Sequence, residues 1–98
     1  MNLQAMMKQA QKMQKDMMKE KEIIDSTIFE GTSSLLTIKM NGKKELTNVK
    51  IEGENLDKDD IEMLEDMILV AVNEASKKVD KMTEEQMGKY TKGMPGLF

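Results

Sequence analysis

A chain of 98 residues with no cysteine, no histidine and a net charge of −3 is the size of one domain and buries only a small core, so a second copy of itself is an expected partner. Disulfides, thiolate nucleophiles and cysteine or histidine metal sites are excluded and the commonest general base is missing, so neither catalysis nor a bound cofactor or metal is expected. All 15 basic residues are lysine and they are unevenly spread: residues 1–50 hold nine lysines against six acids, or +3, and residues 51–98 hold six against twelve, or −6.

From Asn2 to about Ile24 the apolar residues Leu3, Met6, Ala10, Met13, Met17 and Ile24 recur at the three-four spacing of an amphipathic helix, with Met7 and Met18 on its flank. At 100° per residue Lys8, Lys12, Lys15 and Lys19 fall on one face, opposite that seam. Three β-rich runs follow, roughly Ile23–Glu30, Leu35–Met40 and Glu45–Glu52, bounded by Gly, Ser or Asn-Gly and read as an antiparallel meander. Asn41-Gly42 is a strong hairpin signal, since both residues tolerate the positive φ of a type I′ turn. Leu36, Ile38 and Met40 alternate with Thr37 and Lys39, and Val49 and Ile51 flank Lys50, so one sheet face is apolar and must be covered by the helices.

Asp57 is placed to cap a second helix, with Asp59, Asp60 and Glu62 at the positive end of its dipole. The apolar face runs Ile61, Leu64, Ile68, Ala71, Val72, Ala75, Val79 and Met82, and nothing before Gly88 ends the helix. So long a helix outreaches a three-stranded sheet and should project beyond it or meet a partner chain. Gly93-Met94-Pro95-Gly96-Leu97-Phe98 has the punctuation of a loop and is expected to be mobile. The fold class is α+β, a single domain over residues 1–98. With no apolar run of about 18 residues and no signal-peptide pattern, no membrane association and a cytoplasmic location are expected.

The lysine row is the feature that points to a partner. A lysine face often serves only solvation, but acids are nearly absent from residues 1–19, where Asp16 stands alone, and regularly spaced ammonium groups can follow a phosphate backbone and release its counterions. Without arginine the bidentate fork onto guanine is unavailable, so sequence-specific readout should be weak. Gln4, Gln9, Gln11 and Gln14 could contact adenine only if the helix entered a major groove, which is not the expected mode. Lys77 and Lys81 lie roughly opposite the apolar face of the long helix and are secondary candidates among surrounding acids. The acids from Asp57 to Asp66 lack the glycine-centred spacing of a calcium loop and are read as capping and dipole residues.

The opening Leu3-Gln4-Ala5-Met6-Met7-Lys8-Gln9-Ala10-Gln11-Lys12-Met13-Gln14 resembles that of YbaB/EbfC proteins. The turn at Asn41-Gly42, the strand Val49-Lys50-Ile51, the segment Glu62-Met63-Leu64-Glu65-Asp66 followed by Ala71, Asn73 and Ala75, and the closing Met87-Gly88 and Gly93-Met94-Pro95-Gly96 are similar to that family in the same order. The resemblance covers nearly the whole chain. It implies an α-β-β-β-α subunit, a homodimer whose sheets come together, and long helices projecting like tweezers. It also implies a nucleoid-associated DNA-binding protein that affects gene expression, with no catalytic residues. On that reading Lys8, Lys12, Lys15 and Lys19, with Lys77 and Lys81 assisting, hold DNA phosphates. The alternative is a protein-interaction module that uses the methionine-rich surface, with DNA contact incidental.

Overall fold

The computed structural model describes residues 2–53 and 56–91. The elements run α1 (Leu3–Ser26), β1 (Phe29–Ser33), β2 (Leu36–Met40), β3 (Leu46–Ile51), one 3-10 turn (Lys58–Asp60) and α2 (Ile61–Thr91). This is the α-β-β-β-α order in an α+β fold. Asn55 and the tail at 93–98 lie outside the described residues.

Helix α1 starts where Asn2 Oδ1 accepts from the backbone N–H of Gln4 at 3.0 Å and of Ala5 at 3.4 Å. It ends later than the β-branched run from Ile23 suggests, because Ile24 is buried against α2 and packing overrides local preference. The last carbonyls are met from the side: Ser26 Oγ donates to Glu22 O at 2.9 Å and Thr27 Oγ1 to Ile23 O at 2.6 Å. The first strand therefore begins at Phe29, not near Ile23, and Gly31 lies within it instead of bounding it.

The sheet has the order β1-β2-β3, antiparallel throughout. β1 and β2 are joined through Ser34-Leu35, with Ser34 at φ 51°. The second hairpin departs from the type I′ expectation. Its loop closes from Asn41 to Glu45, Asn41 Oδ1 accepts from the N–H of Lys43 and Glu45, and the positive φ belongs to Lys44 at 64°. Gly42 serves a different end there: its N–H donates to Asp25 O at 3.2 Å, and a Cβ would run into the Ile24 carbonyl.

Asp57 caps the second helical segment as expected, accepting from Asp59 N–H at 2.8 Å while Asp60 Oδ2 accepts from Asp57 N–H at 3.0 Å. α2 lies across β1 and β2 and does not reach β3. A Cβ on Gly31 would collide with the Ala71 carbonyl, so helix and strand meet there backbone to backbone. Around that contact Phe29, Leu36, Ile38, Met40, Met67, Ala71, Ala75 and Val79 form the main core. Lys78 Nζ closes its outer edge with a 2.8 Å hydrogen bond to Glu30 O.

Beyond the sheet α2 continues past Gly88 and packs antiparallel on α1. Ile24, Met87 and Tyr90 form a second buried cluster with Met13, Met17 and Met82 against it. Lys89 Nζ reaches Glu20 at 3.7 Å and Lys44 Nζ reaches Asp80 at 2.8 Å. The radius of gyration is 19.5 Å, against about 13 Å for a compact domain of this length. The chain is a sheet-and-helix head with a two-helix arm.

Candidate nucleic-acid interface

The face of α1 that meets α2 is fixed by Met13, Met17 and Ile24, and helical geometry then places Lys8, Lys12, Lys15 and Lys19 on the far side of the helix, in solvent. The row spans eleven residue steps, about 16 Å along the axis. Among the described residues none of these four lysines is in an ion pair, whereas Lys39, Lys44, Lys50, Lys78 and Lys89 all are. The first turn of α1 contains no acid, so the positive end of its dipole adds to the field of the row.

Lys77 and Lys81 are exposed and, among the described residues, also in no ion pair, but the fold does not join them to the row. α2 presents Met82, Met87 and Tyr90 to α1, and at 100° per residue Lys77 and Lys81 point the other way. Within the chain the six lysines occupy two outward faces, one on α1 and one on α2, with Glu74 and Glu84 sharing the α2 face.

A second surface was not assigned by reading the sequence. Val49 and Ile51, expected under the helices, are exposed, and so is Leu46; all three pair with the buried β2 residues Met40, Ile38 and Leu36 and hence stand on the helix side of the sheet. The expected core residues Ile61 and Ile68 are exposed too, and Met67, absent from the expected stripe, is buried at 5% exposure. The cause is the sideways seat of α2 over β1: Met67 lies on the covered flank with Lys78, while Ile61 and Ile68 face the uncovered β3 side. Farther round the helix Leu69 is 62% exposed and Val70 54%. The run Met67-Ile68-Leu69-Val70-Ala71-Val72 is apolar on every face, a pattern of helices that are covered all round, and this run was the available signal.

The model of the YbaB/EbfC DNA-binding family matches residues 1–94. The chain belongs to this family. Similar proteins include a nucleoid-associated protein of Ligilactobacillus salivarius, 46% identical over 99% of this chain and 95% of its own. One of Chloroflexus aurantiacus is 45% identical over the whole of both chains, and one of Enterococcus faecalis is 44% identical over 98% of this chain and 94% of its own. In this YbaB/EbfC chain no helix among the described residues is long and apolar enough to cross a membrane. Nor do the described residues contain a group of His, Cys, Asp or Glu able to hold a metal ion.

Proposed function

We propose that the protein is a nucleoid-associated DNA-binding homodimer of the cytoplasm, which holds the phosphate backbone with modest sequence specificity and thereby influences gene expression. The observation that carries the reading is the row Lys8, Lys12, Lys15 and Lys19, exposed, regularly spaced along α1 and in no ion pair among the described residues. Family membership supplies the independent support. Lysines acting as point charges suit positioning on phosphates and not base readout.

The dimer half of the proposal rests on the uncovered apolar surface. Leu46, Val49 and Ile51 on a sheet-edge strand, with Ile61 and Ile68 beside them, form a face that a second copy would bury. Two arms then carry eight row lysines. Lys77 and Lys81 would assist only if DNA also passes the α2 face.

The test is fluorescence anisotropy with two unrelated labelled duplexes, titrated from low to physiological salt. Comparable, salt-sensitive binding to both is expected, and changing Lys8, Lys12, Lys15 and Lys19 together to Glu should abolish it. Persistence of affinity in that variant would remove the row from the site. One observation favours the second reading, a protein-interaction module: Leu3, Met6, Met7 and Met18 stand exposed on α1. A partner held by those side chains would survive the lysine changes and be lost when the four apolar residues become Gln.

A further inference from the structure

The contact that fixes α1 against α2 is unusual in its chemistry. Of the six side chains in the arm cluster, four are methionines: Met13, Met17, Met82 and Met87, with Ile24 and Tyr90 completing it. Among the described residues a single ion pair, Lys89–Glu20, joins the two helices, and it is partly exposed to solvent, so it adds little holding power. Met13, Met17 and Met82 are half-buried, and Met13 with Met6, Gln9 and Ala10 lines an open depression of about 210 Å³. Small polar molecules therefore reach thioethers that belong to the joint. The methionines of the main core, Met40 and Met67, are 3% and 5% exposed and sealed between sheet and helix.

We propose that this methionine joint is an oxidation-sensitive latch that sets the orientation of the α1 lysine row, with hydrogen peroxide as the chemical class of effector. In the modification the sulfur lone pair attacks a peroxide oxygen, the O–O bond breaks, an S–O bond forms and water leaves; sulfur is oxidised and peroxide is reduced. The sulfoxide is a larger, strongly polar group in a contact made mostly of apolar side chains, so its formation disfavours the packed joint and the helices part. Sulfoxide formation is reversible by methionine sulfoxide reductases. The link to DNA rests on the lysine-row reading above; the loosening of the joint does not.

The full-length protein is treated with graded hydrogen peroxide and read three ways: mass spectrometry for oxygen gain at each methionine, backbone hydrogen exchange, and anisotropy on a DNA duplex at low salt. Met13, Met17 and Met82 should gain oxygen before Met40 and Met67. Exchange should accelerate in residues 13–24 and not in β2, and DNA affinity should fall at least about tenfold as α1 ceases to present its charges together, recovering after sulfoxide reductase treatment. The variant Met13→Leu/Met17→Leu/Met82→Leu/Met87→Leu keeps the volume of the joint and should bind DNA with or without peroxide. The variant Met6→Leu/Met7→Leu/Met18→Leu should remain peroxide-sensitive. Complete oxidation of Met13, Met17 and Met82 with unchanged exchange in α1 overturns the latch. Faster exchange with DNA affinity intact overturns its coupling to DNA. Absence of DNA binding by the untreated protein would count against the lysine row, while the exchange readout still decides the latch.

Discussion

Gly31 and Gly42 are fixed by what lies opposite them and not by backbone angle. At Gly31 the Ala71 carbonyl occupies the space a Cβ would need, and at Gly42 the Ile24 carbonyl does so. Backbone cannot swing aside like the tip of a side chain, so Gly31→Ala must lift α2 off β1 and should cost about 1–3 kcal/mol, the range of overpacked cores. Urea unfolding at fixed protein concentration measures this, with Gly88→Ala as the control: a Cβ there meets no side chain and no other element of the described residues, so in mid-helix it should stabilise by up to about 1 kcal/mol. Asp57 acts through its cap: its carboxylate accepts from Asp59 N–H and its own N–H is held by Asp60. Asp57→Ala should cost about 1 kcal/mol in the same assay. These residues differ in legibility. Asp57 carries a cap signature in the sequence, and Gly31 gives no local sign that a helix forty residues away needs its missing side chain.

Helix α1 has two faces with different fates. Its seam was readable as one continuous stripe, yet among the described residues Met13, Met17 and Ile24 are the seam residues clustered with α2, and Leu3 remains 72% exposed. Periodicity identifies which side of a helix is apolar; how far along that side another element reaches depends on where α2 lies. The lysine face is less sensitive to such detail because it needs only solvent. If each subunit neutralises about four phosphates, the logarithm of affinity should fall against the logarithm of salt with a slope near −7 for a dimer. Replacing Lys8, Lys12, Lys15 and Lys19 by Gln should bring that slope close to zero in the anisotropy titration, while Lys77→Gln/Lys81→Gln should leave most of it. A slope set mainly by Lys77 and Lys81 would move the DNA to the α2 face.

At the scale of the molecule, a sheet with one uncovered edge strand, beside a helix whose stretch Met67–Val72 is apolar on every side, favours another surface. Val49→Glu with Ile68→Glu places two charges in the proposed seam between copies, where desolvation would be costly. Analytical ultracentrifugation should find the double variant monomeric at concentrations where the parent is a dimer, and its melting temperature should lose the concentration dependence expected of a dimer. DNA affinity should drop with it, because one arm offers four row lysines and not eight. A double variant that sediments like the parent would place the dimer contact elsewhere.

The elements whose cause is local or periodic were legible in the residues alone. These are the amphipathic α1 with its opposed lysine and methionine faces, the alternation Leu36-Thr37-Ile38-Lys39-Met40, the cap at Asp57, and a final helix too long for its sheet. Ordered motifs along the chain also carried the family resemblance. How those faces are used depends on long-range packing. It drew Ile24 into a helix against β-branched neighbours, because burial on α2 outweighs local propensity. It moved the positive φ of the second hairpin to Lys44, because Gly42 is held against the end of α1. And it seated α2 over β1 instead of the sheet centre, because only Gly31 admits the helix backbone so closely; that displacement buries Met67, leaves Ile61, Ile68 and β3 uncovered, and separates Lys77 and Lys81 from the α1 row.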